Sequence, residues 1–342
     1  MKNILIVAVV AFMAIGCQQR QELVLRSFSG GALGTGYTVK FYAENPFAVE
    51  KKFDSLIDAV NQSMSTYQQD SDISRINAGD STVVVDAMFR EVFELAKEVY
   101  KNSNGYFDPT VGILANAYGF GPDKPSKVLD STVLDSLRKF VGLDLVKIDA
   151  ENRIIKKYPE VYLDFNSIAK GYCVDRVAKM LDANGVENYL IELGGELFAK
   201  GENLVKEQPW AVGIEDINSD KSNRGYTEVI YLKNSGMAGS GNYRKYRVDE
   251  ETGQRYVHTI DPLTGKAEQS NVLAATIVAT SCAEADAYAT ACMAMGFANA
   301  KTMLAKLPKV KAYLTYSVLD STDIFMTENF RPLLRDYPNG SN

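Results

Sequence analysis

Apolar residues recur every three to four positions in two long stretches of this 342-residue chain: Val49, Phe53, Leu56, Ile57 and Val60 follow Asn45-Pro46, and Val92, Leu95, Ala96 and Val99 come later. That period turns one stripe of a helix inward, so it predicts helices over about 46–62 and 87–101. A third helix is predicted over 167–183, closed by Asn184-Gly185 as a C-terminal stop. Ser281-Cys282-Ala283-Glu284 has the form of a capping box, opening a helix that ends at Gly296 and is followed by another over 298–306. Alternating or short apolar runs predict strands at 36–43, 82–85, 144–148, 153–157, 161–164, 188–193, 197–200, 210–214, 227–232, 254–260 and 271–279, with further strands at the end of the chain. Ala150-Glu151-Asn152 joins the third and fourth of these as a hairpin. Strands that follow one another with helices inserted between them predict an α+β fold of mainly antiparallel sheet. If the chain forms two lobes, their boundary falls near 200–225.

The ends change this picture. Lys2, the apolar run Ile4 to Ile15 and Gly16-Cys17 read as a lipoprotein signal over 1–17, cleaved before a Cys17 that then carries lipid. The run is shorter than the roughly 20 residues a spanning helix needs. Residues 18–30 read as a tether and 31–342 as the folded part. Gln18 after the cysteine permits the outer membrane, so the expected place is the periplasmic side of the envelope, anchored to either membrane. Apolar content of 46% and charged content of 23% are those of a folded globule. A net charge of −6 argues against a nucleic-acid partner, which needs a basic field. Cys173, Cys282 and Cys292 lack metal-ligand spacing and read as small buried hydrophobes.

Candidate chemistry gathers at a few segments. His258 is the chain's one histidine, the side chain whose unperturbed pKa best suits proton transfer near neutrality, and it enters an Asp261-Pro262-Leu263-Thr264-Gly265 turn. Asp286 and Thr290, four apart on a helix, offer two hard oxygens on one face, as Mg²⁺ prefers. Asp164 to Tyr172 reads as a strand end and a capped helix start, an anion-friendly terminus with Lys170 as a mobile charge and Gly171 allowing close backbone approach. Gly239-Ser240-Gly241-Asn242 and Gly30 to Gly36 read as glycine-rich turns, and Tyr67, Tyr106 and Phe107 as aromatics beside loops, able to stack on a planar ring. Taken singly, each segment also has a plain reading: a strand histidine held by a carbonyl, a capped helix with a solvated lysine, an incidental Asp/Thr pair, ordinary turns and core aromatics.

Taken in order, the segments resemble the FAD:protein FMN transferases of the ApbE type. The matching stretches are Leu33-Gly34-Thr35, Met64 to Tyr67, Ser71 to Asn77, Gly105 to Gly112, Gly119-Phe120-Gly121, Asp164 to Asp175, Glu192 to Glu196, Gly239 to Tyr243, His258 to Gly265 and Asp286 to Thr290. The resemblance implies a T-fold-like α+β architecture and an enzyme that uses FAD and Mg²⁺ to place FMN on a threonine or serine of an acceptor redox protein, releasing AMP. It implies Asp286 and Thr290 as side-chain metal ligands and Ser167 as a ligand through its carbonyl. It also implies FAD contacts from Leu33, Tyr67, Gly105, Tyr106, Phe107, Asp164, Lys170 and Ile260, and His258 as the base. The chain departs from the family's pattern at Leu33, Ser167, Val257, Leu263 and Ala117-Tyr118; an arginine is frequent at position 263, and its loss bears on anchoring of an anionic group. Two other functions fit the same residues: a Mg²⁺-dependent FAD pyrophosphatase, with water in place of the acceptor hydroxyl, and a flavin-binding lipoprotein without turnover.

Overall fold

A computed structural model describes residues 23–44, 47–122, 130–219, 225–242, 246–248, 255–319 and 321–336. The signal segment with Cys17, and 18–22 of the expected tether, lie outside the described residues. The chain enters on a hairpin: β1 (Val24–Ala32) pairs with β2 (Thr35–Ala43) across Leu33-Gly34. Both turn residues have positive φ, 49° and 74°, which gives the turn a twist matching that of the strands. Residues 24–30, expected as tether, are thus the outermost strand. Exposure along most of β1 removes the apolar alternation that would have revealed it.

α1 (Val49–Met64) and α3 (Ala87–Asn102) form where their period places them, with Asp86 accepting the Phe89 N–H at the start of α3. The short helices α2 (Asp72–Asn77), α4 (Gly112–Tyr118) and α5 (Ser131–Arg138) were not expected, having too few turns for a period to register. The expected strands at 82–85 and 161–164 shrink to single bridges, Val84 to Arg153 and Val111 to Tyr162. The two between them form a small hairpin of β3 (Val146–Ile148) and β4 (Ile154–Lys156). Next come α6 (Ala169–Ala183), β5 (Tyr189–Leu193), β6 (Glu196–Lys200), β7 (Trp210–Glu215), β8 (Tyr226–Leu232), β9 (Ser235–Gly241), β10 (Tyr246–Val248), β11 (Arg255–Val257) and β12 (Val272–Ala279). α7 (Cys282–Leu304), β13 (Lys311–Val318) and β14 (Ser321–Met326) follow. The two helices expected on either side of Gly296 are the arms of α7, which bends where Gly296 takes φ 74°.

One eight-stranded antiparallel sheet, in the order β1-β2-β5-β6-β9-β12-β13-β14, carries the molecule. Gly239 to Gly241, expected to begin a glycine-rich loop, instead end the inner strand β9; at Gly236 an added Cβ would lie 2.3 Å from the Cys282 backbone nitrogen, so that glycine lets α7 approach. Helices bury one face, with Phe53, Phe89, Val177, Ile191 and Ile277 in the shared core. The β7–β8 hairpin covers the other, where Trp210, Ile230 and Leu232 meet Met237, Val278 and Phe330. The chain beyond 200 therefore leads into a cover for the same sheet. A small third cluster, Leu114, Tyr118, Ile260 and Ala267, fastens the segment after β11 to α4. Cys173, Cys282 and Cys292 are buried, as expected.

Candidate active site

α6 and α7 cross in backbone contact and each caps the other. Asp175 of α6 accepts the Cys282 and Ala283 N–H groups at 2.7 and 2.9 Å, and Asp286 of α7 accepts the Gly171 N–H in the first turn of α6 at 3.1 Å. Carboxylates suit both positions because the first N–H groups of a helix lack partners and carry its positive pole. Gly171 makes the crossing possible: a Cβ there would lie 2.5 Å from the Cys282 carbonyl oxygen.

Lys170 is ion-paired with Glu196, the first residue of β6, and the pair stands beside Asp286. Burial alone would lower the Lys170 ammonium; the Asp286 and Glu196 carboxylates outweigh it and hold the pKa above its ordinary value. Burial and then the Asp286 charge push Glu196 up to about 7 against the pull of Lys170. Burial likewise raises Asp286, opposed by Lys170 and the Gly171 N–H. Two buried carboxylates thus share one ammonium, and Glu196 Oε2 is buried without a hydrogen-bond partner. Among the described residues no three His, Cys, Asp or Glu side chains converge as a metal cluster. The donors here are hard oxygens with unbalanced negative charge, which fits a hard divalent cation that fills its remaining positions with carbonyl, water or phosphate oxygen. Thr290 is half-buried one turn beyond Asp286, and Ser167 is half-buried just before α6.

Several expected flavin contacts gather around this crossing. Gly194 donates its N–H to the Gly36 carbonyl at 3.0 Å, and a Cβ on it would lie 2.6 Å from Thr35, so the Leu33-Gly34 turn sits against the β5–β6 turn that delivers Glu196. Leu33 holds a left-handed backbone that is costly for a bulky residue, and its half-buried side chain packs on the core. Asp164 donates its backbone N–H to Pro109 at 2.7 Å and accepts the Asn166 N–H at 2.7 Å, while the Asn166 side chain reaches Thr66 at 3.2 Å. Burial raises the Asp164 carboxyl, opposed by Asn166. Tyr67 next to Thr66 is exposed, its phenol raised by local desolvation and then by the Asp164 charge. Gly105 faces Leu263 in the turn after His258. Phe107 gives its ring to the core and its N–H to Ser103 Oγ, leaving Tyr106 as the half-exposed ring of that loop, with its hydroxyl near Asn299. Ile260 is buried against α4, so its exposed offering is backbone.

His258 is half-buried immediately after β11. Its loop is held by the Val257 N–H on the Ala267 carbonyl, by the Thr259 hydroxyl 3.0 Å from Asn242 Oδ1, and by Tyr118 and Arg138 on the carbonyls of Gly265 and Leu263. Asn242 stands just past the end of β9. α7 starts against Gly236, near the start of β9, and reaches the other end of the sheet at Met293, whose carbonyl accepts the Ser270 hydroxyl just before β12. Since Ala274 of β12 pairs with Gly241, Thr290 and the anchor of the His258 loop occupy the same end of β9. Asp175 and Glu196 were not among the expected site residues, although both lie in matching stretches; only the fold reveals their partners.

The sequence model of the ApbE family matches residues 33–314. The FAD:protein FMN transferase of Haemophilus influenzae is 35% identical over 303 residues, covering 85% of this chain and 86% of that protein. The FAD:protein FMN transferase of Vibrio cholerae is 34% identical, covering 98% and 99%. Among solved structures, the flavin transferase ApbE of Vibrio cholerae superposes with a TM-score of 0.81 at 32% identity, covering 92% of this chain and all of that one. The apo flavinyl transferase ApbE of Pseudomonas stutzeri gives 0.79 at 30% identity, covering 91% and 97%.

Proposed function

This chain belongs to the ApbE family, and from that premise we propose that it moves FMN from FAD to a protein hydroxyl at the crossing of α6 and α7. It is a flavin transferase, an enzyme whose substrates are FAD and a protein. The observation that carries the site assignment is the reciprocal capping of the two helices, which holds Lys170, Glu196 and Asp286 together in a buried, charge-unbalanced group.

In this reading Asp286, Thr290 and the Ser167 carbonyl would hold Mg²⁺, whose charge would offset that of the pyrophosphate. Lys170, kept protonated by its carboxylate neighbours, adds a fixed positive charge for the same oxygens. Leu33, Tyr67, the Gly105–Phe107 loop, Asp164 and Ile260 frame the flavin and adenosine ends, with Tyr67 offering an exposed ring face and Tyr106 a half-exposed one. His258 takes the proton of the acceptor hydroxyl as its oxygen bonds to the FMN-side phosphorus. The bond between that phosphorus and the bridging oxygen breaks, and AMP leaves. The acceptor is a redox protein with a threonine or serine at the modified position. Supporting an envelope location, the apolar run and Gly16-Cys17 form a lipoprotein signal, which would anchor the mature chain by Cys17 lipid. Labelling with radioactive palmitate that disappears in Cys17→Ala supports the anchor; labelling that persists removes it.

Incubation with FAD, Mg²⁺ and an acceptor domain tests the reaction. Covalent flavin fluorescence on the denatured acceptor, with one AMP per flavin, is expected. Free FMN formed equally fast without acceptor would make the enzyme a pyrophosphatase, and FAD bound with no AMP would make it a carrier.

A further inference from the structure

At the edge of the sheet farthest along β1 from the Leu33 turn, three consecutive apolar side chains, Leu23, Val24 and Leu25, are exposed. Leu25 pairs with Tyr42, and directly paired residues of antiparallel strands project to the same face, so Leu25 and its alternate neighbour Leu23 share the face of Tyr42. The Tyr42 hydroxyl donates to Asn203 Oδ1 at 2.9 Å and accepts the Val205 N–H at 3.2 Å. That fixes the tight 203–208 loop, closed by the Asn203 N–H on the Gln208 carbonyl, at the same corner. The loop presents exposed Leu204 and Val205, the latter 77% exposed although its own backbone is pinned. A rigid loop and a strand end from opposite parts of the chain therefore put four apolar side chains, Leu23, Leu25, Leu204 and Val205, on one corner, with Val24 on the other face of the strand end. Monomeric surfaces rarely keep such residues together without a partner.

We propose that this corner rests on the lipid bilayer and fixes the orientation of the enzyme there, an inference that relies on the Cys17 anchor proposed above. The length of chain outside the described part selects this partner: only five residues, six Cα-to-Cα steps, lie between Cys17 and Leu23. Fully extended, they span at most about 20 Å. Lipid on Cys17 thus holds the corner near the headgroups, where apolar tips enter about 5–10 Å deep. Lys206 and Glu207 follow Val205 and offset one another, so the contact is apolar and does not depend on anionic lipid. β1 then points its Leu33 turn away from the surface by up to about 30 Å, the length of nine strand residues.

Full-length lipidated protein carrying Val205→Cys, labelled with an environment-sensitive fluorophore, tests this in phosphatidylethanolamine–phosphatidylglycerol vesicles. The described cysteines are buried, which leaves the new thiol as the reactive one among them. Leu319→Cys provides the control: Leu319 is 97% exposed in the β13–β14 turn, near the opposite edge of the sheet. Flotation of both proteins with vesicles, together with a blue shift and doxyl-lipid quenching at 205 but not at 319, is expected. Flotation without quenching at 205 keeps the anchor and overturns the docking. Failure to float overturns both. A blue shift without vesicles, with disulfide-linked pairs of Val205→Cys chains, assigns the corner to a second copy and also overturns the proposal.

Discussion

At the level of single residues, the proposed base His258 and the proposed metal ligand Asp286 are the positions whose substitution tests chemistry apart from binding. His258→Ala removes the proposed base while its loop stays fastened by Thr259, Tyr118 and Arg138, so FAD affinity should hold while turnover falls about 10²–10⁴-fold. Single-turnover AMP release beside an FAD titration checks this; near-normal turnover would dismiss the imidazole. Asp286→Ala should abolish the Mg²⁺ dependence of the reaction and leave the Gly171 N–H without its carboxylate. A magnesium titration that keeps its wild-type midpoint would remove Asp286 from the metal site. These two residues were visible in the sequence because one is the lone histidine and the other shares a helix face with Thr290. Glu196 and Asp175 carried no such signal: an acidic residue at a strand start or inside a helix is ordinary until its partner, in the latter case 107 positions away, is brought beside it.

Among the elements, the α6–α7 crossing should be the most sensitive joint. Gly171→Ala places a methyl against backbone atoms that cannot rotate away, so we expect a stability loss of about 1–3 kcal/mol by denaturant unfolding, with a larger proportional loss of turnover as Lys170 shifts. Asp175 gives the same joint a pH dependence. Burial pushes its carboxyl from an ordinary 3.8 up to about 7, against the two N–H groups it accepts. The folded chain therefore holds this proton more tightly than the unfolded chain, and the group's contribution to stability is full below pH 4 and is lost as pH rises through about 7. Asp175→Asn cannot ionise, so the stability gap between wild type and variant should narrow from pH 5 to pH 8 in parallel urea titrations; a gap that widens would contradict this. The long helices and the bend at Gly296 were legible because several turns of period and a glycine mark them. β9 was not, because Gly239 and Gly241 near its end look like a loop, and β1 was not, because an edge strand with little burial has no face to pattern.

On the scale of the whole molecule, the α+β class and antiparallel sheet followed from the order of the elements, whereas the sharing of one sheet by two cores did not. That sharing predicts a single cooperative transition. Trp210, the chain's only tryptophan, reports on the β7–β8 face, while far-UV circular dichroism is dominated by the helices of the other. Coincident thermal midpoints from the two probes are expected, and midpoints that part by several degrees would show the β7–β8 cover melting on its own.

The three interior thiols lie in α6 and α7, and burial holds Cys173 and Cys292 up at about 12 and raises Cys282 well above the ordinary thiol value. Once folded, they are almost never thiolate and are sealed from oxidants. On the proposed export route the dangerous interval is the passage before folding, when all three are open to mispairing. Maturation is then a race between collapse of the helix layer and oxidation, and quality control would act on the speed of the first.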